Sequence, residues 1–524
     1  MLIRIMSAKC VGVDAVPVTE EVNVSPGIGI HLVGLADVAV KESLLRITTA
    51  LESLGYHVPG KRIVINLAPA DQHKSGSGYD LPIALGIIAA SGQRELPGVG
   101  KYLVMGELGL NGEIRPVPGA LPYAELARDA GLAGIVLPEE SALEATEYKD
   151  IDVFGVRTLD EVFRILGEGE DPSELLVCNS QLFRKVRREE RHRAGTSDIP
   201  DFADIIGQEV AKRGLEIAAA GGHNVIMLGS QGTGKSSLAK AMAGIMPPLT
   251  KEEALTTSKI YSIAGMRDGR FGLMTRRPFR SPHCNSSLPA LIGGGAGDNI
   301  APGEVSLAHN GILFLDEFAN MSRPVMESLR APLEDRKVTV SRLRAKVEYP
   351  ASFMLVAASN PCPCGYWGDG DRCTCPPFRR KDYLSRISGP LRDRLDIHLF
   401  LHRVSSGEVL DKTGSEPSSV VAERVLKARI IQKDRFVPER AQGLRILTNA
   451  EMNNRQIEKY CKLSPVCQET MTRLMDKMQM SLRAYFRIIK VARTIADLEG
   501  VEDILPKHLA EAAGYRFLDR ENLF

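Results

Sequence analysis

A chain of 524 residues is long enough for about three domains of ordinary size, each burying its own core. A net charge of +1 with 25% charged residues excludes a chain-wide polyanion-binding surface, so any nucleic-acid contact has to come from local basic clusters. The opening MLIRIMSAKCVGVDAVPV has no continuous apolar stretch and no small-residue cleavage site, and the longest apolar run, LPIALGIIAA, falls far short of the ~20 residues of a membrane span; a cytoplasmic protein without a membrane partner is expected.

In chain order, β-type runs (LIRIMSAKCVGVDAVPVTEEVNV, KRIVINLAP, KYLVMGELGL, GIVLP) first alternate with helical patterns (DVAVKESLLRITTALESLG, YDLPIALGIIAAS, GALPYAELARDAG). That alternation predicts an α/β or α+β domain over residues 1–183. RKVRREERHRAGTSDIP, residues 184–200, holds six Arg or Lys against two Glu and reads as a charged linker, a solvated connector, with nucleic-acid contact by the stretch itself as the alternative. From DFADIIGQE the pattern becomes an apolar strand, a glycine loop, a helix and later an acidic-ended strand, the layout of a nucleotide-binding α/β domain over residues 201–403. A polar, Ser- and Gly-rich stretch, residues 404–419, leads to residues 420–524, where TRLMDKMQMSLRAYFRIIKVARTIADLEG predicts a helical domain.

NVIMLGSQGTGKSSLAKAMAG carries G-x-x-x-x-G-K-S between a strand and a helix. The expected ATP-binding residues are Gly229, Ser230, Gln231, Gly232, Thr233, Gly234, Lys235, Ser236 and Ser237. Glycines let backbone N–H groups close around phosphate oxygens, Lys235 supplies a point charge to the β and γ phosphates, and Ser236 offers a hydroxyl to Mg²⁺. In GILFLDEFAN a buried strand ends on two carboxylates: Asp316 is expected to support Mg²⁺ and Glu317 to polarise the water that attacks ATP. Asn360, at the tip of FMLVAASN, stands where a polar side chain could hold that water, although a strand-ending Asn is also an ordinary cap. Arg394, in SGPLRDRLDIHLF, could reach a neighbouring subunit's γ-phosphate; the alternative is a salt-bridged surface arginine.

Of nine cysteines, Cys10, Cys178, Cys284, Cys461 and Cys467 are scattered, and only NPCPCGYWGDGDRCTC is patterned. Cys362, Cys364, Cys373 and Cys375 supply four soft thiolates, enough for one tetrahedral Zn²⁺; unligated thiols and an Fe–S cluster are the alternatives.

The chain resembles the magnesium-chelatase-like AAA+ ATPases of the ComM (YifB) type over nearly its whole length. The resemblance is carried by VGLADVAVKES, VINLAPAD and YDLPIALGIIAAS, by GSQGTGKS, RPFRSPHC, LIGGG, PGEVSLAHNGILFLDEF and NPCPCG, and by SLRAYFRIIKVARTIADLEG. It implies an AAA+ core with a C-terminal helical lid, a homo-hexameric ring with ATP at subunit interfaces, Arg394 as the finger acting across the interface, and Arg483 as the lid arginine that senses γ-phosphate. It also implies a role in DNA branch migration during recombination of transforming DNA, with recombination or competence proteins as partners. EDRKVTVSRLRAKVEYPASFML adds a hint from its own residues: two β-type stretches flank a basic turn, and such a hairpin in a ring pore would present Arg342, Arg344 and Lys346 to DNA phosphates. The cysteine loop is then expected to be a structural clip that touches DNA or a neighbour through Tyr366, Trp367, Arg379, Arg380 and Lys381.

The first domain is similar to the proteolytic domain of Lon, but Gly78 and Leu121 stand where that family carries its Ser-Lys dyad. Ser75 and Ser77 lie close by without a base, so no peptidase activity is expected. After FRSP the family usually has two histidines, whereas this chain has His283 and Cys284. An ATP-driven DNA motor is the leading expectation, a chelatase-type motor subunit the alternative, and an ATP-dependent protease the third.

Overall fold

The computed structural model describes residues 1–169, 171–193, 199–267, 272–295, 300–341, 346–404 and 416–519. Strands Leu2–Val11 and Asp14–Ser25 pair as a long hairpin, with Val18, Glu20 and Val22 turned inward at the period of two that a pleated strand imposes. A mixed seven-stranded sheet grows around them in the spatial order Gly29–Val33, Arg62–Ala68, Asp14–Ser25, Leu2–Val11, Tyr102–Val104, Gly134–Pro138, Asp152–Val156. Helix Asp80–Ala90 packs on that hairpin and is buried along its whole length, as a helix that is apolar all round must be.

Most of the stretch expected as a charged linker belongs to helix Gln181–Arg193. Arg, Lys and Glu are good helix formers, and Ser180 Oγ accepts from the Phe183 amide at 3.1 Å to close the first turn. Leu182, Phe183 and Val186 pack against the core of the seven-stranded sheet. Charge density hides this short apolar anchor in the sequence.

The second sheet is parallel throughout, in the order Phe279–Arg280, Ile312–Leu315, Met354–Ser359, Val225–Gly229, Ile397–Leu401. Parallel sheets bury both faces, and strand alternation supplies both. Val225, Met227, Phe314, Val356 and Leu399 enter a core shared with the C-terminal helices. Ile226, Leu228, Leu313, Leu355 and Ala357 enter another, shared with the hairpin Lys337–Ser341 and Lys346–Pro350. The C-terminal part is helical, and its helix Leu482–Glu499 starts on Ser481, whose hydroxyl accepts from the Ala484 amide at 3.2 Å, and stops at Gly500. The molecule is thus α/β with a parallel sheet and a helical C-terminal part.

The two sheets are joined by direct contacts. Helix Lys251–Ile263 presents Ser262, whose carbonyl accepts from the Gly119 amide at 3.0 Å and whose hydroxyl accepts from the Leu121 amide at 3.4 Å. Lys259, on the same helix, pairs with Asp14 at 3.2 Å and with Glu125. The turn at Gly12 meets the stem of the second hairpin so closely that a Cβ there would lie 2.9 Å from the Glu348 carbonyl oxygen. Among the described residues no helix is long and apolar enough to cross a membrane.

Candidate functional site

Strand Val225–Gly229 is buried throughout and delivers the chain into a glycine loop that ends at helix Lys235–Ile245. Gly232 and Gly234 have φ of 79° and 88°, in the left-handed region that a side chain resists, and so turn the backbone N–H groups of the loop toward one centre. Thr233 Oγ1 donates to the Ser230 carbonyl at 2.9 Å and stiffens the loop; Gln231, Gly232, Ser236 and Ser237 are exposed. Lys235 Nζ lies over the loop, donating to Gly229 and Ser230 carbonyls at 2.7 and 2.9 Å. Burial lowers its pKa, and the carboxylates of Asp316 and Glu317 oppose that shift.

Asp316 and Glu317 follow strand Ile312–Leu315. Ser236 Oγ donates to Asp316 Oδ2 at 3.1 Å, which brings the expected Mg²⁺ ligands from two distant segments to one point. These two oxygens suit a hard cation, and the glycine loop beside them suits its phosphates. Glu317 has φ 49°, unusual for a residue with a side chain. Its Oε2 accepts from Asn320 Nδ2 at 3.4 Å and lies 3.9 Å from Cys284 Sγ. Strand Met354–Ser359 runs between the glycine-loop strand and the acidic strand, so Asn360 leaves the sheet at the same edge as both. Such carboxyl-end edges of parallel sheets are where ligands bind.

Cys284, Asn320 and Tyr383 surround this edge and were not assigned a part by sequence reasoning. Tyr383 is buried, and its hydroxyl donates to Asn320 Oδ1 at 3.4 Å. Asn320 could have been sought three residues after Glu317, and Cys284 marks a departure from the resembled pattern. Tyr383 has no local signal.

Arg394 and Arg483 engage carboxylates rather than the glycine loop. Arg394 Nη2 pairs with Glu334 and its Nη1 donates to the Pro390 carbonyl at 2.7 Å. Arg483 Nη1 pairs with Asp393 Oδ2 at 3.1 Å. Beneath them Asp396 is buried against Arg487 at 2.7 Å and His223 at 3.4 Å. Burial would raise the Asp396 pKa, but the Arg487 charge and the hydrogen bond with His223 hold it far below the usual carboxylate range.

The cysteine loop gathers as expected. The four Sγ atoms lie within 4.8 Å of one another, with Cys362–Cys364, Cys362–Cys373 and Cys364–Cys373 separations of 3.3, 3.7 and 3.7 Å. Zn–S bonds of about 2.3 Å in a tetrahedron require sulfurs ~3.8 Å apart, so the donor set fits this ion. Burial pushes the Cys362 thiol up to about 12. Burial also raises Cys364, but the Tyr366 amide and the neighbouring sulfurs bring it down to about 6. Of the residues expected to face outward, Tyr366, Arg379 and Lys381 are exposed. Trp367 and Arg380 instead pack the loop, Trp367 edge-on to Phe400 at 5.5 Å with the Arg380 guanidinium over its ring.

The second hairpin pairs Ser341 with Lys346, so a four-residue connection carries Arg342 and Arg344, which lie outside the described residues. Lys346 is exposed at the start of the return strand. In the first unit a Cβ at Gly78 would lie 2.9 Å from the Met105 methyl and 3.5 Å from Val117, so apolar atoms fill the space of a nucleophilic side chain. Leu121 is fully buried at the contact with Ser262. A cavity of about 430 Å³ remains beside them, with Ser75, Ser77, Glu107 and Lys346 among its walls.

Known proteins align with this arrangement along the whole chain. The family described as magnesium chelatase, subunit ChlI, matches residues 201–409; subunit ChlI of Mg-chelatase matches residues 20–141; and the ChlI C-terminal family matches residues 415–516. The chain is 42% identical over 513 residues to the uncharacterized protein YifB of Salmonella typhimurium, covering 97% of this chain and 96% of that protein. It is 40% identical over 519 residues to the competence protein ComM of Haemophilus influenzae, covering 98% and 97% of the two. The magnesium-chelatase 38 kDa subunit of Rhodobacter capsulatus is similar over less, 27% identical across 32% of this chain and 52% of its own length. Near-complete coverage at such identity makes this chain a member of the ComM (YifB) family of magnesium-chelatase-like proteins.

Proposed function

We propose that the chain is an ATP-driven DNA motor, a homo-hexameric AAA+ ATPase that moves branched DNA junctions during recombination. The observation that carries the ATPase part is the 3.1 Å contact between Ser236 and Asp316, which closes the glycine loop against the acidic strand. The backbone amides of the loop bind the phosphates and Lys235 orients the γ-phosphoryl group. Mg²⁺, when bound by Ser236 and Asp316, supplies charge neutralisation on the β and γ phosphates. Glu317 takes the proton of the attacking water, Asn360 helps to hold that water, and Arg394 of one subunit and Arg483 of the lid stabilise the negative charge on the γ-phosphoryl oxygens and on the departing ADP in the transition state. The DNA part is supported by the basic hairpin, with Arg342, Arg344 and Lys346 as its contacts, and by the name of the Haemophilus relative, a competence protein. Zn²⁺ at the four cysteines holds the loop after Asn360 and takes no part in the chemistry. The first unit, built on a Lon-like plan without its dyad, serves as a scaffold.

A second reading, a chelatase-type motor subunit, is favoured by the three matching family descriptions. One experiment separates the two: ATP hydrolysis by the full chain alone, with single-stranded, duplex and four-way DNA, and with chelatase partner subunits and a porphyrin. The DNA-motor reading expects stimulation by DNA and movement of the junction, with Glu317→Gln slowing hydrolysis by about 10²-fold or more while still binding ATP. Indifference to every DNA, with a response to the chelatase partners, sinks it.

A further inference from the structure

Arg394 and Glu334 lie sixty residues apart in sequence, yet their side chains pair directly. The backbone at Arg394 is rigidly held. Its carbonyl accepts from Asn224 Nδ2 at 3.0 Å, and Asn224 Oδ1 accepts from the Leu355 amide at 2.9 Å, which locks this point to the foot of the glycine-loop sheet. Glu334 has the opposite character. Its side chain is 66% exposed against 14% for Arg394, and it rides on the short helix Arg330–Asp335, which passes through Arg336 straight into the hairpin strand Lys337–Ser341. The guanidinium also keeps a buried Nε with no partner among the described residues, so this pairing leaves one of its donors unused.

We propose that Glu334 is a positioning residue that couples the hairpin to hydrolysis: it holds Arg394 against the hairpin stem until DNA engages the hairpin, and its displacement frees the guanidinium for the ATP of the neighbouring subunit. This rests on the reading of Arg394 as a finger acting across a ring interface. The chemistry favours exchange. A γ-phosphate offers several anionic oxygens to a planar fork of donors, whereas Glu334 is a single exposed carboxylate whose attraction water screens. A pull on the hairpin reaches Glu334 through the chain, because the strand Lys337–Ser341 continues by way of Arg336 from the helix that carries it. Asp393, next in the chain to Arg394, holds Arg483 in the same manner, so each of the two arginines is neutralised within its own subunit.

The test measures ATP hydrolysis by the full chain without DNA and with saturating four-way DNA. Glu334→Gln keeps the size of the side chain and removes its charge; Asp335→Asn controls for charge loss at the neighbouring exposed position. Glu334→Gln is expected to raise the DNA-free kcat by about two- to fivefold, the change that loss of a half-exposed ion pair sustains, with KM for ATP and the DNA-saturated rate unchanged. The stimulation ratio then falls by the same factor, and Asp335→Asn behaves as the parent. An unchanged or lowered DNA-free rate in Glu334→Gln, or an equal effect of Asp335→Asn, overturns the coupling even if Arg394→Ala is inactive. An Arg394→Ala variant as active as the parent overturns the finger assignment and the coupling together.

Discussion

Glu20 is fully buried on strand Asp14–Ser25, and neither of its carboxyl oxygens has a hydrogen-bond partner among the described residues. Burial pushes its pKa well above the usual carboxylate range, with Ser7 lowering it and the Asp80 charge adding to the rise. An unfolded glutamate loses its proton near pH 4.3, whereas the folded protein holds it to a higher pH, so unfolding releases a proton once the pH passes the unfolded value and stability falls as the pH climbs through the folded one. Glu20→Gln removes the ionisation and keeps the shape. It is expected to stabilise the protein by about 1–3 kcal/mol at pH 8 and by much less at pH 5, read from thermal unfolding at both values. An equal gain at the two pH values would sink the explanation. The inward turn of Glu20 follows from Val18 and Val22 at alternate positions, so the sequence holds it in plain view. The glycine loop is legible for a related reason: phosphate chemistry demands its residues at fixed local spacing. The Arg394–Glu334 and Cys284–Glu317 contacts are not legible, because only the folded sheet brings those segments together.

At the scale of elements, the hairpin, the strand ending at Asn360 and the C-terminal helices follow from hydrophobic period and length. Helix Gln181–Arg193 does not, because its apolar anchor is three residues set among charges. The cysteine loop is a mixed case: C-x-C-x₈-C-x-C announces a cluster, but its fastening is tertiary. Trp367, the sole tryptophan of the chain, packs on Phe400, and a Cβ at Gly368 would lie 2.6 Å from that same ring. Phe400 belongs to strand Ile397–Leu401, which pairs with the glycine-loop strand. The cluster therefore ties the chain leaving Asn360 to the parallel sheet, and a metal held there would supply a stiffness that a loop with little core of its own lacks. Elemental analysis is expected to give one zinc per chain, lost when Cys364 and Cys373 are both changed to Ser. Loss of zinc is expected to shift and broaden the Trp367 emission while ATP binding is retained and hydrolysis falls. A metal-free native protein with the same emission removes the clip.

For the whole molecule the decisive feature is how the seven-stranded sheet sits on the nucleotide sheet. The face of the first unit that carries Leu121 is engaged: Leu121 is buried and, with Gly119, donates a backbone hydrogen bond to Ser262 of helix Lys251–Ile263. Lys259, one turn earlier, is the charged centre of this contact, with only 10% of its side chain exposed between Asp14 and Glu125. Removing the ammonium leaves two carboxylates of the first unit without their partner from the other side of the interface, one of them at 20% exposure, a loss of about 1–3 kcal/mol for a charge pair of this burial. Lys259→Met keeps the stem and deletes the charge. Because 1.4 kcal/mol is a factor of ten in an opening equilibrium, hydrogen exchange at the Gly119 and Leu121 amides is expected to accelerate by about 5- to 150-fold, while the amides of Val225–Gly229, inside the sheet, keep their protection. Uniform acceleration across both sets would mean global destabilisation and would defeat the claim that Lys259 secures this contact locally. Unchanged exchange at Gly119 and Leu121 would mean that the apolar contacts alone hold the units together. A selective rise instead makes this face of the first unit its docking face, and Lys259 the residue that sets how firmly the first unit grips the parallel-sheet unit.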